Sequence, residues 1–394
     1  MKYLSKSPGI GGQIKSVPED FIVEEISIDG TVLELDKLFE KQDEEGNFVH
    51  FVLQKRNWST SSALNEIAKK FHMSQKNFNT AGMKDKVSIS TQIASVSGIT
   101  KEKLLETKIK DISINGAWTA KERVSIGDLL GNRFTITVRD YSEKSNDCSE
   151  AIIADLNGQF PNYFGEQRFG STRRNTHLVG QRLIEGKIED ALFMFLCDSA
   201  TENNQEARLA REELLETRDF NTALKSFPKY LTLERSILMY LSKHPTNYLT
   251  ALRSLPRNIL LLFIHSFQSH LFNLLLSDRI AEGEIQLEEG EYFCGETFGF
   301  PDVEKIEGNG WITGKIIGYN TYLSDREKNI MESFNLTKDH FRVKEIPELA
   351  SKGTRRTLFS PLKDFSCQNN FFKFSLPAGS YATVAMREFL DKTK

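Results

Sequence analysis

The chain has 394 residues, enough for two domains or for one domain carrying a large insertion. Hydrophobic residues make up 39% and phenylalanine alone fills 28 positions, which excludes a disordered chain and allows a sizeable core. A formal net charge of -3 excludes nucleic-acid binding through overall charge, so any RNA contact must come from a local basic surface.

Cys148, Cys197, Cys294 and Cys367 lie far apart with no CxxC pair. Neither a zinc site nor a disulfide framework is indicated, and the expected compartment is the reducing cytoplasm. Residues 1–8 have no apolar segment behind their lysines, so no signal peptide is expected. The most apolar run, residues 259–264, stops well short of the ~20 residues of a membrane span. It is expected to be part of a buried helix.

In chain order, Gly9-Ile10-Gly11-Gly12 lacks the preceding strand and the following Lys-Ser/Thr of a phosphate loop, and is expected to be a flexible lead-in. Lys15-Ser16-Val17-Pro18-Glu19-Asp20-Phe21 then opens a strand over residues 22–26 through a proline turn, with Phe21 spaced as a core aromatic. Residues 48–55 carry apolar side chains on both faces, with Val49, Phe51, Leu53 and Lys55 on one of them, so this strand is expected inside a sheet. A helix is predicted over residues 62–73 from the stripe of Ala63, Leu64, Ile67, Ala68 and Phe71, and a strand over 87–96. Between them, Gly82 is expected to make a tight turn that projects Lys84 and Asp85 from a loop tip. Taken alone, Lys84-Asp85-Lys86 reads as a solvated, charge-balanced tip.

Further strands are predicted over residues 109–114 and 134–138, the second entered through Gly131-Asn132-Arg133-Phe134, where an asparagine ordinarily serves backbone geometry. The chain turns polar over residues 142–147, and a boundary is expected near Asn157-Gly158. An aromatic and basic segment follows, from Pro161 through Arg168-Phe169-Gly170 to Arg173-Arg174-Asn175-Thr176-His177. Such a loop suits base stacking and phosphate contact. Helical periodicity dominates residues 178–280 and is clearest over 258–280, where His265 and His270 fall about 140° apart and cannot share a metal. Residues 283–319 read as a small sheet. A strand at 370–376 leads through Leu376-Pro377-Ala378-Gly379-Ser380-Tyr381 into a short helix ending near Leu390, with Ser380 as its candidate N-cap.

Several of these blocks resemble, in collinear order, the TruD family of tRNA pseudouridine synthases. They are the Lys15 to Phe21 segment, Gly82-Met83-Lys84-Asp85-Lys86 with Thr91-Gln92, Gly131-Asn132-Arg133-Phe134, the segment from Pro161 to His177, Ser266 to Asn273, and Leu376 to Thr383. The resemblance implies an α+β fold: a pseudouridine-synthase catalytic domain with a mixed sheet, made from residues 1–156 and 359–394 and interrupted by an inserted TRUD domain over 157–358. It implies that Asp85 is the catalytic residue, that Phe21, Asn132 and Tyr381 bind substrate, and that Lys15, Lys84 and Phe134 support the site. Family members commonly have phenylalanine where this chain has Tyr381, which keeps the ring and adds a hydroxyl. The reaction implied is the isomerisation of uridine to pseudouridine in tRNA, at uridine 13 of the D arm, with no cofactor, no metal and no obligate protein partner. The flanking lysines favour an ionised Asp85, and Lys15 is the first candidate for its fixed partner. Two other readings differ in what they require of the sequence. An RNA-binding or RNA-folding factor would lose the aspartate loop, which is present here, and an unrelated metabolic enzyme would need a phosphate loop, metal cluster or nucleophile triad, none of which the sequence offers.

Overall fold

A computed structural model describes residues 1–141, 145–283 and 285–390; the polar stretch at 142–144 and the side chain of Cys148 lie outside the described residues. The chain divides into two units, one holding Met1–Lys2, Tyr163–Cys294 and Val303–Leu358, the other Tyr3–Asn162, Gly295–Asp302 and the chain from Phe359 on.

The second unit is built on a mixed sheet. In chain order its first strands are β1 (Gly11–Gln13), β2 (Phe21–Ile26), β3 (Phe48–Arg56), β4 (Phe78–Thr80), β5 (Ile89–Ser97), β6 (Ile112–Ala120), β7 (Gly131–Thr137) and β8 (Arg139–Tyr141). The large sheet runs from Lys363–Gln368 through Phe371–Pro377, β7, β2, β5 and β3 to β6. Only the β2–β5 pair in it is parallel, and β4 continues along the same edge of β5 where β2 leaves off, pairing Phe78 with Val96 and Thr80 with Ala94. β3 is bonded on both edges, to β5 and β6, which accounts for the apolar residues on both of its faces.

Helix α1 (Thr60–Lys70) forms because Ser59 accepts the Ser62 N–H as N-cap, Ala63, Leu64, Ile67 and Ala68 make one apolar stripe, and Lys69 and Lys70 sit at the negative end of the helix dipole. The stripe packs on Val49, Phe51, Leu53, Phe78 and Val96 of the sheet. Burying each of the larger side chains contributes about 1.5–3 kcal/mol.

Three local expectations are corrected. The Gly9 to Gly12 segment is not a loose lead-in: β1 pairs with β8, Ile10 is fully buried, and a side chain at Gly9 would collide with the Leu390 carbonyl. The predicted strand at 109–114 begins only at Ile112, because Asp111 turns the chain through a positive φ of 61°. Ser380 does not cap the last helix, Ala382–Arg387, whose N-cap is Tyr381; its hydroxyl bonds Asn162 and Ser360 instead.

The other unit is mainly helical, with a core that includes Leu183, Leu192, Leu196, Leu238, Ile264, Phe267 and Leu271. Its central helix, Arg257–Glu282, is long and apolar enough to cross a membrane by length and composition, yet 67% of its apolar window is buried within the fold. Trp311–Ile316 pairs antiparallel with Tyr292–Thr297 and with Thr354–Thr357 to give a small sheet.

Candidate active site

Asp85 lies in the loop between β4 and β5, and this loop is fixed largely by hydrogen bonds to its backbone. Gln92 Nε2 donates to the Gly82 carbonyl at 2.9 Å, the Lys84 N–H donates to Thr60 Oγ1 at 2.9 Å, and Thr60 in turn donates to Gln92 Oε1 at 2.7 Å. The Asp85 carbonyl accepts from both Lys55 Nζ and Ser88 Oγ, each at 2.8 Å. Gly82 does not take a left-handed backbone, and a Cβ there would meet nothing within 4 Å. The tip is therefore shaped by side chains reaching in from β3, α1 and β5.

Held this way, the two residues of the tip diverge. The Asp85 carboxylate is 38% exposed and forms an ion pair with Lys15, Nζ to Oδ2 2.5 Å. Lys15 has a positive φ of 63°, a conformation that costs a side chain about 1 kcal/mol, and its ammonium also lies 4.1 Å from the centre of the Phe21 ring. Phe21 meets Phe134 edge-on at 5.9 Å, and both rings are buried, so they form a wall behind the ion pair.

Lys84 turns the other way. It does not project from the tip: its side chain is 5% exposed, and its ammonium lies 2.6 Å from Glu25 Oε2 and 2.6 Å from Asn132 Oδ1. Burial pushes the Glu25 carboxyl above its ordinary range, while the charge of Lys84 and the Ile93 N–H pull it back. Lys55 is fully buried, and that burial depresses its ammonium to about 8, with Lys84 adding to the fall and Asp85 opposing it.

The structure thus gathers Lys15, Phe21, Lys84, Asp85, Asn132 and Phe134 into one contiguous set. Tyr381 is linked to it through the backbone: Leu376 and Pro377 pair with Asn132 and Gly131, Ala378 donates to the Leu130 carbonyl, and Tyr381 follows, half-buried. Glu25, Lys55, Thr60 and Ser88 are additions that sequence reasoning did not name for the site, while Gln92, quoted there only as part of the motif, is the side chain that holds the Gly82 carbonyl. A signal for Lys55 was present, since it is a lysine on the same strand face as Val49, Phe51 and Leu53.

The basic loop after Gly170 is less open than its sequence suggests. Arg173 is half-buried, donating to the Phe195 carbonyl and to Glu234, while Arg174 stays exposed beside Glu166. His270 packs against His177 with ring centres 4.6 Å apart, and among the described residues no group of three or more His, Cys, Asp or Glu side chains is placed to hold a metal.

Comparison with known proteins converges on one family. The family model described as tRNA pseudouridine synthase D (TruD) matches residues 1–389. A protein of Methanosarcina acetivorans described as a probable tRNA pseudouridine synthase D is 32% identical, with 98% of this chain and 94% of the relative covered. One from Pyrococcus abyssi with the same description is 36% identical, with 98% of each chain covered. A crystal structure described as that of a tRNA pseudouridine synthase D from Methanosarcina mazei superimposes with a TM-score of 0.77 at 30% identity, covering 99% of this chain and 96% of the other. A match along nearly the whole chain, in sequence and in fold, means that this chain belongs to the tRNA pseudouridine synthase D (TruD) family.

Proposed function

We propose that the chain converts uridine 13 in the D arm of tRNA to pseudouridine, with Asp85 as the reacting carboxylate and no cofactor. Membership of the family makes it a tRNA pseudouridine synthase, an isomerase. In this reaction the bond from ribose C1′ to uracil N1 breaks, the base turns, and a bond from C1′ to C5 forms. The C5 proton is lost and N1 is protonated, so nothing is gained or lost overall.

The observation that carries the reading is the Lys15–Asp85 pair, in which the carboxylate is the accessible member of a site whose other charged groups are largely covered. Attack on the substrate and removal of a ribose proton both need Asp85 ionised, and an ammonium at hydrogen-bond distance favours that state. Phe21, Phe134 and Tyr381 supply aromatic surface for a base taken out of its stack, at a cost of a few kcal/mol (roughly) that stacking offsets. Asn132 supplies a polar edge contact. Catalysis on this reading belongs to the unit with the large mixed sheet, built from the two ends of the chain, and the segment from about 157 to 358 is the insertion.

Pseudouridine mapping on an unmodified tRNA with uridine at position 13 tests the proposal, using the wild type beside Asp85→Asn and measuring RNA binding for both. Product at position 13 from the wild type, and none from a variant that still binds, is the expected result. An active Asp85→Asn protein, or product only at other positions, overturns it.

A further inference from the structure

Glu25 and Asn132 are direct cross-strand partners on antiparallel β2 and β7, so their side chains leave the sheet on the same face, and the Lys84 ammonium sits between them. The three groups are fixed from several sides. Glu25 Oε1 accepts the Ile93 N–H from β5 at 2.8 Å, its Oε2 lies 2.6 Å from Lys84 Nζ, and the carboxylate is fully buried. The Lys84 backbone is tied to Thr60. An ammonium has donors and no acceptor, so the side of the Asn132 amide that faces it must be the oxygen. The amide nitrogen then points elsewhere, has no partner among the described residues, and belongs to a half-buried side chain.

We propose that Glu25 is a positioning residue for base selection: through Lys84 it fixes the polarity of the Asn132 amide, so that Asn132 offers only N–H groups to the base. A site that only donates at this edge accepts uracil, which has a carbonyl at C4, and rejects cytosine, which has an amino group there. Two donors facing one another leave a desolvated group unpaired, and sites built on such a contact discriminate strongly. Without Glu25, the Lys84 ammonium has no buried counter-charge and leaves for solvent. Asn132 then has no cation facing its oxygen and is free to turn over.

The inference rests on the Asp85 reading, and the test keeps the two apart. Wild-type protein is first assayed for pseudouridine; absence of product overturns the synthase reading, and with it this one. The Asp85→Asn protein is then used to measure Kd for the same tRNA with uridine or cytidine at the target position. A preference for uridine of about tenfold or more is expected, falling below about threefold when Glu25→Gln is added. In the Asp85 background, Glu25→Gln should lower kcat with little change in KM. Should Glu25→Gln fail to fold, the pair Glu25→Gln with Lys84→Met removes both buried charges together and serves as the second variant. Product from the wild type together with an undiminished uridine preference in these variants overturns the proposal.

Discussion

The buried charges around Asp85 and those around Arg211 among the helices of the other unit differ in what they leave open. In the helical unit Arg211 is 1% exposed and lies against Glu234 and Glu202, while Arg173 shares Glu234 and donates to the Phe195 carbonyl. Cations and carboxylates there face one another and the adjacent backbone, with Arg211 donating to the Leu196 carbonyl and to Glu234. Around Asp85, Lys84 with Glu25 and Lys55 with the Asp85 carbonyl are also covered, but they surround an accessible carboxylate and an amide with an uncommitted nitrogen. Closed clusters tie elements together. A closed cluster that borders open polar groups holds those groups in place for a substrate.

The contrast is tested first where the expected effect is largest. Arg211→Met strips a buried cluster of its central cation and strands Glu202, which should cost about 3–5 kcal/mol of stability in urea unfolding. The kcat per folded molecule should be unchanged, and a large fall in kcat at full stability would erase the distinction between the clusters.

Lys55 gives a test with a sign. Its pKa is about 8 in the fold, below the ordinary 10.5, so its charged form is disfavoured by folding. That penalty is fully present below pH 8 and is relieved as the pH rises from about 8 to 10.5, a span in which the unfolded chain binds the extra proton. The stability of the wild type relative to Lys55→Met should therefore rise across this window, by up to about 3 kcal/mol. A difference that stays flat with pH would mean that Lys55 is not held as a costly buried ammonium.

These tests bear on what was legible in the sequence. The helix expected over 62–73, found at 60–70, and the strand after the aspartate loop follow from periodicity, because burial on one or both faces sets the pattern, whereas the three-residue strand Phe78–Thr80 before the loop is too short to show one. Asp85, Lys15 and Asn132 came from motif resemblance, since a charged triplet in a turn carries no signal of its own. Glu25 was hidden for a physical reason: it occupies an ordinary strand position, and what makes it special is the pairing of β2 with β7, which local sequence does not encode. Lys55 stands out as a lysine on an apolar strand face, but its partner, the Asp85 carbonyl, comes from the return of the loop over β3. The turn around Gly82 misled for the opposite reason, because glycine suggested backbone freedom where side-chain bonds set the shape.

Lys15→Met probes the open side of the comparison. The lysine is 18% exposed and supports Asp85 from outside the sheet, so its loss should lower kcat about a hundredfold, equivalent to about 2.7 kcal/mol, with stability nearly unchanged. Retention of full activity would remove Lys15 from the mechanism and leave the charge of Asp85 to its other neighbours.

The smallest effect is expected from Gly82→Ala, and its smallness is the point. If the loop needed glycine for a left-handed turn, alanine would strain the backbone, shift Asp85 relative to Lys15 and lower kcat. Instead Gly82 lies outside the positive-φ residues, has open space where a Cβ would go, and contributes its carbonyl to Gln92, which alanine also offers. Alanine should therefore leave kcat within about twofold and, by narrowing the unfolded ensemble, stabilise the fold by about 0.4–1 kcal/mol. Gln92→Leu, which removes the donor to that carbonyl and the acceptor for Thr60, is the matched change. It should lower kcat well beyond the twofold allowed for Gly82→Ala, because the loop is then held by one fewer side chain. Equal kcat values for the two variants would mean that the backbone at Gly82, and not its supporting side chains, sets where Asp85 stands.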